Sequence, residues 1–231
     1  MLQLPLNVQL DDSAKFDNFY ADNNRQLVTR LNQIQGQSDA FIYVWGATDT
    51  GKTHLAQALC HQANLAQLST AYLPLENPQL APLMLEGMGT MDVICIDNLE
   101  NVVSKPDWEL GLFNLYNQLK AEHKSLADFS HAAPFSLPIQ LADLQSRLSA
   151  MEIYKLEGLQ DHQKVELFKQ RAANRGLDIS EEVIRYIFSR HSRSLADLMT
   201  ILERLDHFSI ALKRKISIPL VKEILAKKEA D

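Results

Sequence analysis

Three nearly continuous apolar runs lie in the first half of the chain, and each stops at a residue that favours a turn. They cover residues 41–45, before Gly46, residues 69–73, before Pro74, and residues 91–96, before Asp97. Runs of this kind are typical of a parallel sheet that is covered on both faces.

Segments with the helical spacing of apolar residues lie between and after these runs, and they make up most of the last third of the chain. This spacing predicts helices over residues 53–65 and 107–122, which would cover the sheet. After Gly158 it predicts four more: one capped by Asp161 and running to 175, one capped by Ser180, one over 195–213, and one with Pro219 in its first turn. The pattern therefore predicts an α/β core with a parallel sheet flanked by helices, followed by a small all-helical domain.

A phosphate-binding pattern follows directly on the first predicted strand and opens the helix after it. It matches G-x-x-x-x-G-K-[S/T] at Gly46, Ala47, Thr48, Asp49, Thr50, Gly51, Lys52 and Thr53. In such a loop the backbone N–H groups and the helix N-terminus face a nucleotide's phosphates, the lysine neutralises β/γ oxygens and the final hydroxyl binds Mg²⁺. The alternative is that this pattern is an ordinary strand-to-helix turn. The predicted strand before it and helix after it favour the phosphate-binding interpretation.

Asp97 comes at the end of the most apolar run, so we expect it at the sheet edge where the phosphate loop opens. There it is a candidate Mg²⁺ partner together with Thr53, the alternative being a turn-capping aspartate. Many hydrolysing P-loop proteins carry a second acid next, whereas this chain has Asn98 followed by Leu99 and Glu100. Because an amide cannot accept the proton of an attacking water, we expect weak intrinsic ATP hydrolysis unless Glu100 or another acid substitutes.

Composition narrows the function further. The net charge of −6 disfavours a protein that grips DNA mainly through its own basic surface. No apolar run is long enough to span a membrane and the N-terminus lacks a signal peptide, so we expect a cytoplasmic protein. Cys60 and Cys95 both lie in apolar segments, which favours reduced, buried thiols.

Several of these segments together resemble a known family. Residues 16–20, 45–54, 96–100, 144–148 and 215–225 are similar to the AAA+ module of the replication initiator DnaA, most closely to its short Hda-like regulators. The resemblance covers nearly the whole chain. It implies an N-terminal tail over 1–10, an AAA+ nucleotide-binding core over 11–158 and a helical lid domain over 159–231.

The resemblance also implies roles for residues outside the phosphate loop. It makes Arg147 the candidate arginine finger, and Arg193 the lid arginine over the nucleotide. The alternative for each is an ordinary solvated arginine. It further implies that Phe19, Tyr20 and His54 contribute to nucleotide binding. It also implies a fourth core strand near residues 125–130, where Asp128 is an unusual residue for a buried position, and makes Ser130 the sensor-1 residue. ADP or ATP with Mg²⁺ are the implied cofactors, and Asp49 suggests ADP because its charge lies close to the phosphates.

Partners follow from the same resemblance. Gln3, Leu4, Pro5 and Leu6 look like the short peptide that docks on the sliding clamp, the β subunit of DNA polymerase III. We therefore expect a negative regulator that binds the DNA-loaded clamp, contacts DNA only through it, and stimulates ATP hydrolysis by DnaA. Self-association is compatible with this reading. The alternatives are a self-contained P-loop ATPase or kinase, and an adaptor that loads a helicase or DNA.

Overall fold

A computed structural model describes residues 10–34, 39–190, 194–212 and 216–226 of the chain. The chain divides into two compact units, with the boundary between Gly158 and Leu159. Strands and helices alternate in the first unit, and the regular elements in the described residues of the second are all helices. The fold class predicted from the sequence is confirmed.

The first unit is built on a five-stranded parallel sheet. Its strands are β1 (Phe41–Trp45), β2 (Thr70–Pro74), β3 (Val93–Asp97), β4 (Ser125–Ser130) and β5 (Glu152–Lys155), in the spatial order β2-β3-β4-β1-β5. The apolar runs predicted β1, β2 and β3, and the family resemblance predicted β4. They did not predict β5, because this short edge strand is charged at both ends and mostly exposed.

Helices cover both faces of the sheet. They are α1 (Arg25–Asn32), α2 (Lys52–Leu65), α3 (Pro106–Ala121) and α4 (Ala142–Ser149). Successive strand residues point to opposite faces, so Ile42 packs with α1 and α2, whereas Tyr43 packs with α3 and α4. Cys60 and Cys95 are buried in the first of these layers and form no disulfide.

The second unit consists of α5 (Asp161–Asn174), α6 (Glu181–Arg190), α7 (Leu195–Leu212) and α8 (Ile218–Ala226). Its helices share one apolar core, in which Phe168 and Phe188 meet edge to face with ring centroids 5.8 Å apart. The N-cap of α5 is Gln160 and not Asp161 as predicted. The Gln163 side chain accepts a hydrogen bond from the Gln160 N–H at 2.9 Å, which closes a capping box one residue earlier.

Within the described ranges, no helix combines the length and apolarity needed to cross a membrane.

Candidate nucleotide-binding site

The strand order brings the phosphate loop and two predicted site residues, Ser130 and Asp97, to one edge of the sheet. Strand β4 lies between β1 and β3, so the carboxyl ends of all three strands are neighbours. Ser130 at the end of β4 pairs with Trp45, and its carbonyl accepts a hydrogen bond from the Gly46 N–H at 3.1 Å. The phosphate loop, Ser130 and Asp97 therefore meet at the carboxyl edge, where α/β sheets bind ligands.

The phosphate loop is folded around Lys52. The Lys52 Nζ donates hydrogen bonds to the carbonyls of Gly46 at 2.8 Å and Ala47 at 2.9 Å. Gly51, with φ of 98°, is the N-cap of α2, and Asp49 also has a left-handed backbone with φ of 63°. Burial lowers the pKa of Lys52, although the nearby charges of acidic side chains oppose the shift. An ammonium group is thus held inside the loop, where it can neutralise phosphate oxygens.

An aromatic residue closes one side of the loop. A Cβ atom added to Gly51 would lie 2.7 Å from Cε2 of Phe19, and the φ of 98° is one that residues with a side chain rarely adopt, so glycine suits this position. The rings of Phe19 and His54 have centroids 5.8 Å apart, and His54 Nε2 lies 2.9 Å from the carbonyl oxygen of Lys15. The N-terminal segment therefore packs against the first turn of α2, and the half-buried Tyr20 follows Phe19. This arrangement places the aromatic ring of Phe19 beside Gly51 of the phosphate loop.

Asp97 and Thr53 lie in direct contact. The Thr53 hydroxyl donates to Asp97 Oδ2 at 2.7 Å, and the Tyr72 hydroxyl donates to the same oxygen at 2.9 Å. Burial raises the pKa of Asp97, while the hydrogen bonds from Thr53, Tyr72 and the Asn98 N–H act in the opposite direction. A carboxylate and a hydroxyl at this distance are the hard oxygen donors that Mg²⁺ prefers, so these residues fit a magnesium site.

Glu100 is held by the end of β4. The Ser130 hydroxyl donates to Glu100 Oε2 at 2.8 Å, and His131 Nδ1 lies 2.9 Å from Glu100 Oε1. Burial alone would raise the pKa of Glu100, but the hydrogen bonds from His131 and Ser130 outweigh it and its pKa is lowered. The predicted sensor-1 residue therefore contacts Glu100, the acid that the sequence suggests as a possible substitute for the one missing at Asn98.

Arg147 lies on the exposed side of α4. Its guanidinium carbon is 5.8 Å from the ring centroid of Tyr116 on α3, while Leu144 and Leu148 on the other side of α4 are buried. Among the residues that the structure describes, no carboxylate forms an ion pair with Arg147. Its charge is therefore available to an external anion.

Comparisons with known proteins identify the family. A family model for the Hda lid domain matches residues 161–225. An uncharacterized protein of Haemophilus influenzae is 36% identical over 226 residues, which cover 96% of this chain and 98% of that protein. The chain belongs to the DnaA-related, Hda-like family. It is thus a DnaA-related replication regulator.

Solved structures agree with the fold of this Hda-like chain. Domain III of the replication initiation protein DnaA from Thermotoga maritima matches with a TM-score of 0.74 at 18% identity, over 95% of this chain and 98% of that chain. AMPPCP-bound DnaA from Aquifex aeolicus matches with a TM-score of 0.71 at 19% identity, over 85% of this chain. The Hda-like chain spans 66% of the Aquifex protein. At these identities the similarity shows the AAA+ fold, as predicted.

Two groups of predicted site residues lie outside the described residues of the Hda-like chain. They are Arg193 and the tail residues Gln3, Leu4, Pro5 and Leu6. The structure does not test their roles.

Sequence reasoning missed two side chains in this region of the Hda-like chain, Tyr72 and Tyr116. Both lie in segments of mostly apolar residues, where the pattern predicts that a tyrosine packs in the core. Their partners, Asp97 and Arg147, are distant in sequence, so only the strand register and helix packing reveal the contacts.

Proposed function

We propose that this Hda-like chain switches off the initiator DnaA by stimulating hydrolysis of the ATP that DnaA holds. Arg147 acts as the arginine finger, and the chain's own adenine nucleotide orders the core that carries it. The observation that supports this most directly is Arg147 itself, an exposed arginine on a short helix that rests on Tyr116. An arginine supplied in trans stabilises charge on the transferring phosphoryl group.

The chain's own nucleotide is ADP or ATP. Lys52, whose ammonium lies inside the loop, would neutralise the phosphates, and the loop backbone and the start of α2 would surround them. Phe19, Tyr20 and His54 would contact the base, a role supported by the packing of Phe19 against His54 and Gly51. Thr53 and Asp97 would hold Mg²⁺, which supplies positive charge to the β/γ-phosphate oxygens. Asp49 lies within the loop, so its charge favours the diphosphate.

Slow turnover of this nucleotide follows from the residues around Asp97. Asn98 has a left-handed backbone with φ of 58° and carries an amide, which cannot accept a proton from water. Glu100 is already engaged by Ser130 and His131. The nucleotide therefore serves as a bound ligand that orders the protein and not as a substrate for repeated hydrolysis.

The tail over 1–10 would tether the chain to the DNA-loaded sliding clamp through Gln3, Leu4, Pro5 and Leu6. The core over 11–158 would carry the nucleotide and Arg147, and the lid over 159–231 would contribute Arg193 to nucleotide binding. Tethering raises the effective concentration near DnaA, so a modest direct affinity suffices.

The test is ATP hydrolysis by DnaA in the presence of clamp-loaded DNA. We expect wild-type protein to stimulate it, Arg147→Ala to lose the stimulation, and Lys52→Ala and the Gln3→Ala/Leu4→Ala double variant to be impaired. Arg185→Ala removes an exposed arginine from α6 and is the matched control. Equal stimulation by Arg147→Ala and wild type would refute the mechanism.

A further inference from the structure

Glu109 is a buried carboxylate that the nucleotide site does not use. It lies in the first half of α3 and its side chain is almost fully enclosed, with the whole residue only 1% exposed. Burial of a carboxylate is costly unless strong hydrogen bonds replace its water. Within the described part of the chain, no lysine or arginine forms an ion pair with it. Its stabilisation must come from another source.

Backbone N–H groups supply that stabilisation. The Leu141 N–H donates to Glu109 Oε2 at 2.7 Å, and the Gln140 N–H lies 3.0 Å from both carboxylate oxygens. The Ser104 N–H donates to Oε1 at 2.7 Å. Hydrogen bonds from N–H groups to an ionised acceptor are stronger than those to a neutral one. Glu109 thus ties the loop before α3 and the segment before α4 to one carboxylate.

The anchored segment leads straight into the helix of the proposed arginine finger. Leu141 is the N-cap of α4, and a negative charge beside this end is favourable for the helix dipole. Two turns further along α3, Tyr116 lies against the guanidinium of Arg147. Helix α3 therefore fixes α4 at its beginning and contacts Arg147 near its end.

We propose that Glu109 is a positioning residue for Arg147. By fixing the entry of α4, it holds the guanidinium at one place over Tyr116, and loss of the carboxylate leaves α4 free to shift. The inference rests on the proposed role of Arg147. It assigns to α3 the task of aligning the finger, independently of the nucleotide that Lys52 and Asp97 hold.

The decisive variant is Glu109→Gln, which keeps the size of the side chain but removes its charge and one acceptor oxygen. Backbone hydrogen exchange in residues 140–149 should accelerate by roughly tenfold or more, since hydrogen bonds to a charged group are lost. Exchange in α2 and the affinity for ADP should stay within about twofold of wild type. Both quantities report on the phosphate loop, whereas the substitution is expected to act on α4. Glu122→Gln, an exposed glutamate at the end of α3, is the matched control.

Stimulation of DnaA provides the second readout. The maximal stimulated rate should fall by roughly tenfold with Glu109→Gln, while the concentration for half-maximal stimulation changes little, because the finger is misplaced and not removed. Glu109→Asp, which keeps the charge on a shorter side chain, should retain an intermediate rate. In an Arg147→Lys background, Glu109→Gln should cause much less than its usual loss if it acts through Arg147.

The outcomes separate this inference from the proposed function. Loss of stimulation with Arg147→Ala but unchanged exchange and stimulation with Glu109→Gln would overturn the positioning role alone. Loss of ADP binding by Glu109→Gln would overturn it as well, because the residue would then support the whole core. Full stimulation by Arg147→Ala would overturn both.

Discussion

Asp128 is an acidic residue in a strand whose residues are all buried. It lies in β4, at the middle of the sheet, flanked in register by Tyr43 and Ile96, and it is 1% exposed. Its Oδ1 atom has no hydrogen-bond partner among the described residues. Burial raises its pKa to about 8, so the native state holds it as a neutral acid at pH 7.

This pKa predicts how stability depends on pH. The native carboxyl keeps its proton up to about pH 8, whereas in the unfolded chain it releases it near 3.8. Between these values the native state binds more protons, so the free energy of unfolding falls with rising pH by up to about 1.4 kcal/mol per pH unit. Asp128→Asn abolishes this term, and its stability relative to wild type should therefore rise steadily over that range.

Urea unfolding followed by the fluorescence of Trp45 and Trp108, both in the first unit, measures this difference. The exposed Asp12→Asn variant controls for the loss of one negative charge. A difference between Asp128→Asn and wild type that does not change with pH would contradict the prediction.

At the scale of elements, Gly46 joins β1 to the phosphate loop where the chain after β5 passes close by. The Leu156 N–H donates to the Trp45 carbonyl at 2.7 Å, and a Cβ atom on Gly46 would lie 2.5 Å from the Leu156 carbonyl oxygen. Nearby, Asn24 hydrogen-bonds both the N–H and the carbonyl of Glu157 at 2.9 Å. The position of the phosphate loop therefore depends on β5 and the residues after it. This is the strand that the sequence did not predict.

Gly46→Ala should accordingly destabilise the first unit by about 1–3 kcal/mol, because the clash is with backbone that must shift. It should also weaken ADP binding, since the loop moves with β1. Gly158→Ala is the matched control, as its added Cβ would meet Thr50 Cγ2 at an ordinary 3.4 Å. Urea unfolding and ADP titration check both effects, and equal stability of the two variants would refute the explanation.

At the scale of the whole molecule, the chain carries a net charge of −6, and yet we propose that it binds ADP or ATP, which are themselves negatively charged. Local features must overcome the overall repulsion. They are the buried ammonium of Lys52 and the start of α2, which contains no acidic residue in its first turn. We therefore expect most of the binding energy for the nucleotide to come from the first unit.

Saturating ADP with Mg²⁺ should therefore stabilise that unit. At a ligand concentration of about 100 times Kd the gain is roughly 2.7 kcal/mol, or roughly 5–10 °C in Tm for a unit of this size. Lys52→Ala should lose the shift, whereas Lys105→Ala, which removes an exposed lysine before α3, should keep it. Thermal unfolding followed by tryptophan fluorescence provides the measurement, and a full shift in Lys52→Ala would contradict the assignment.

Local signals account for what the sequence could predict. The period of apolar residues distinguishes strands from helices, so the α/β core and the helical second unit were open to prediction. The phosphate-loop pattern involves only neighbouring residues, so residues 46–53 could be recognised as a candidate site. Asp97 was identifiable as a candidate because it ends a buried strand. Even the small error at α5 was local, since Gln160 and Gln163 form their capping box within one turn.

The sequence by itself thus determined the class of fold and a candidate phosphate site, while the tertiary structure decided how distant side chains meet. The position of β5, the Tyr72–Asp97 contact and the anchoring of α4 by Glu109 join residues far apart in the chain. The neutral state of Asp128 follows from burial between two neighbouring strands. The physical reason is the same in each case: desolvation and hydrogen bonding depend on neighbours in space, and periodicity records only neighbours along the chain.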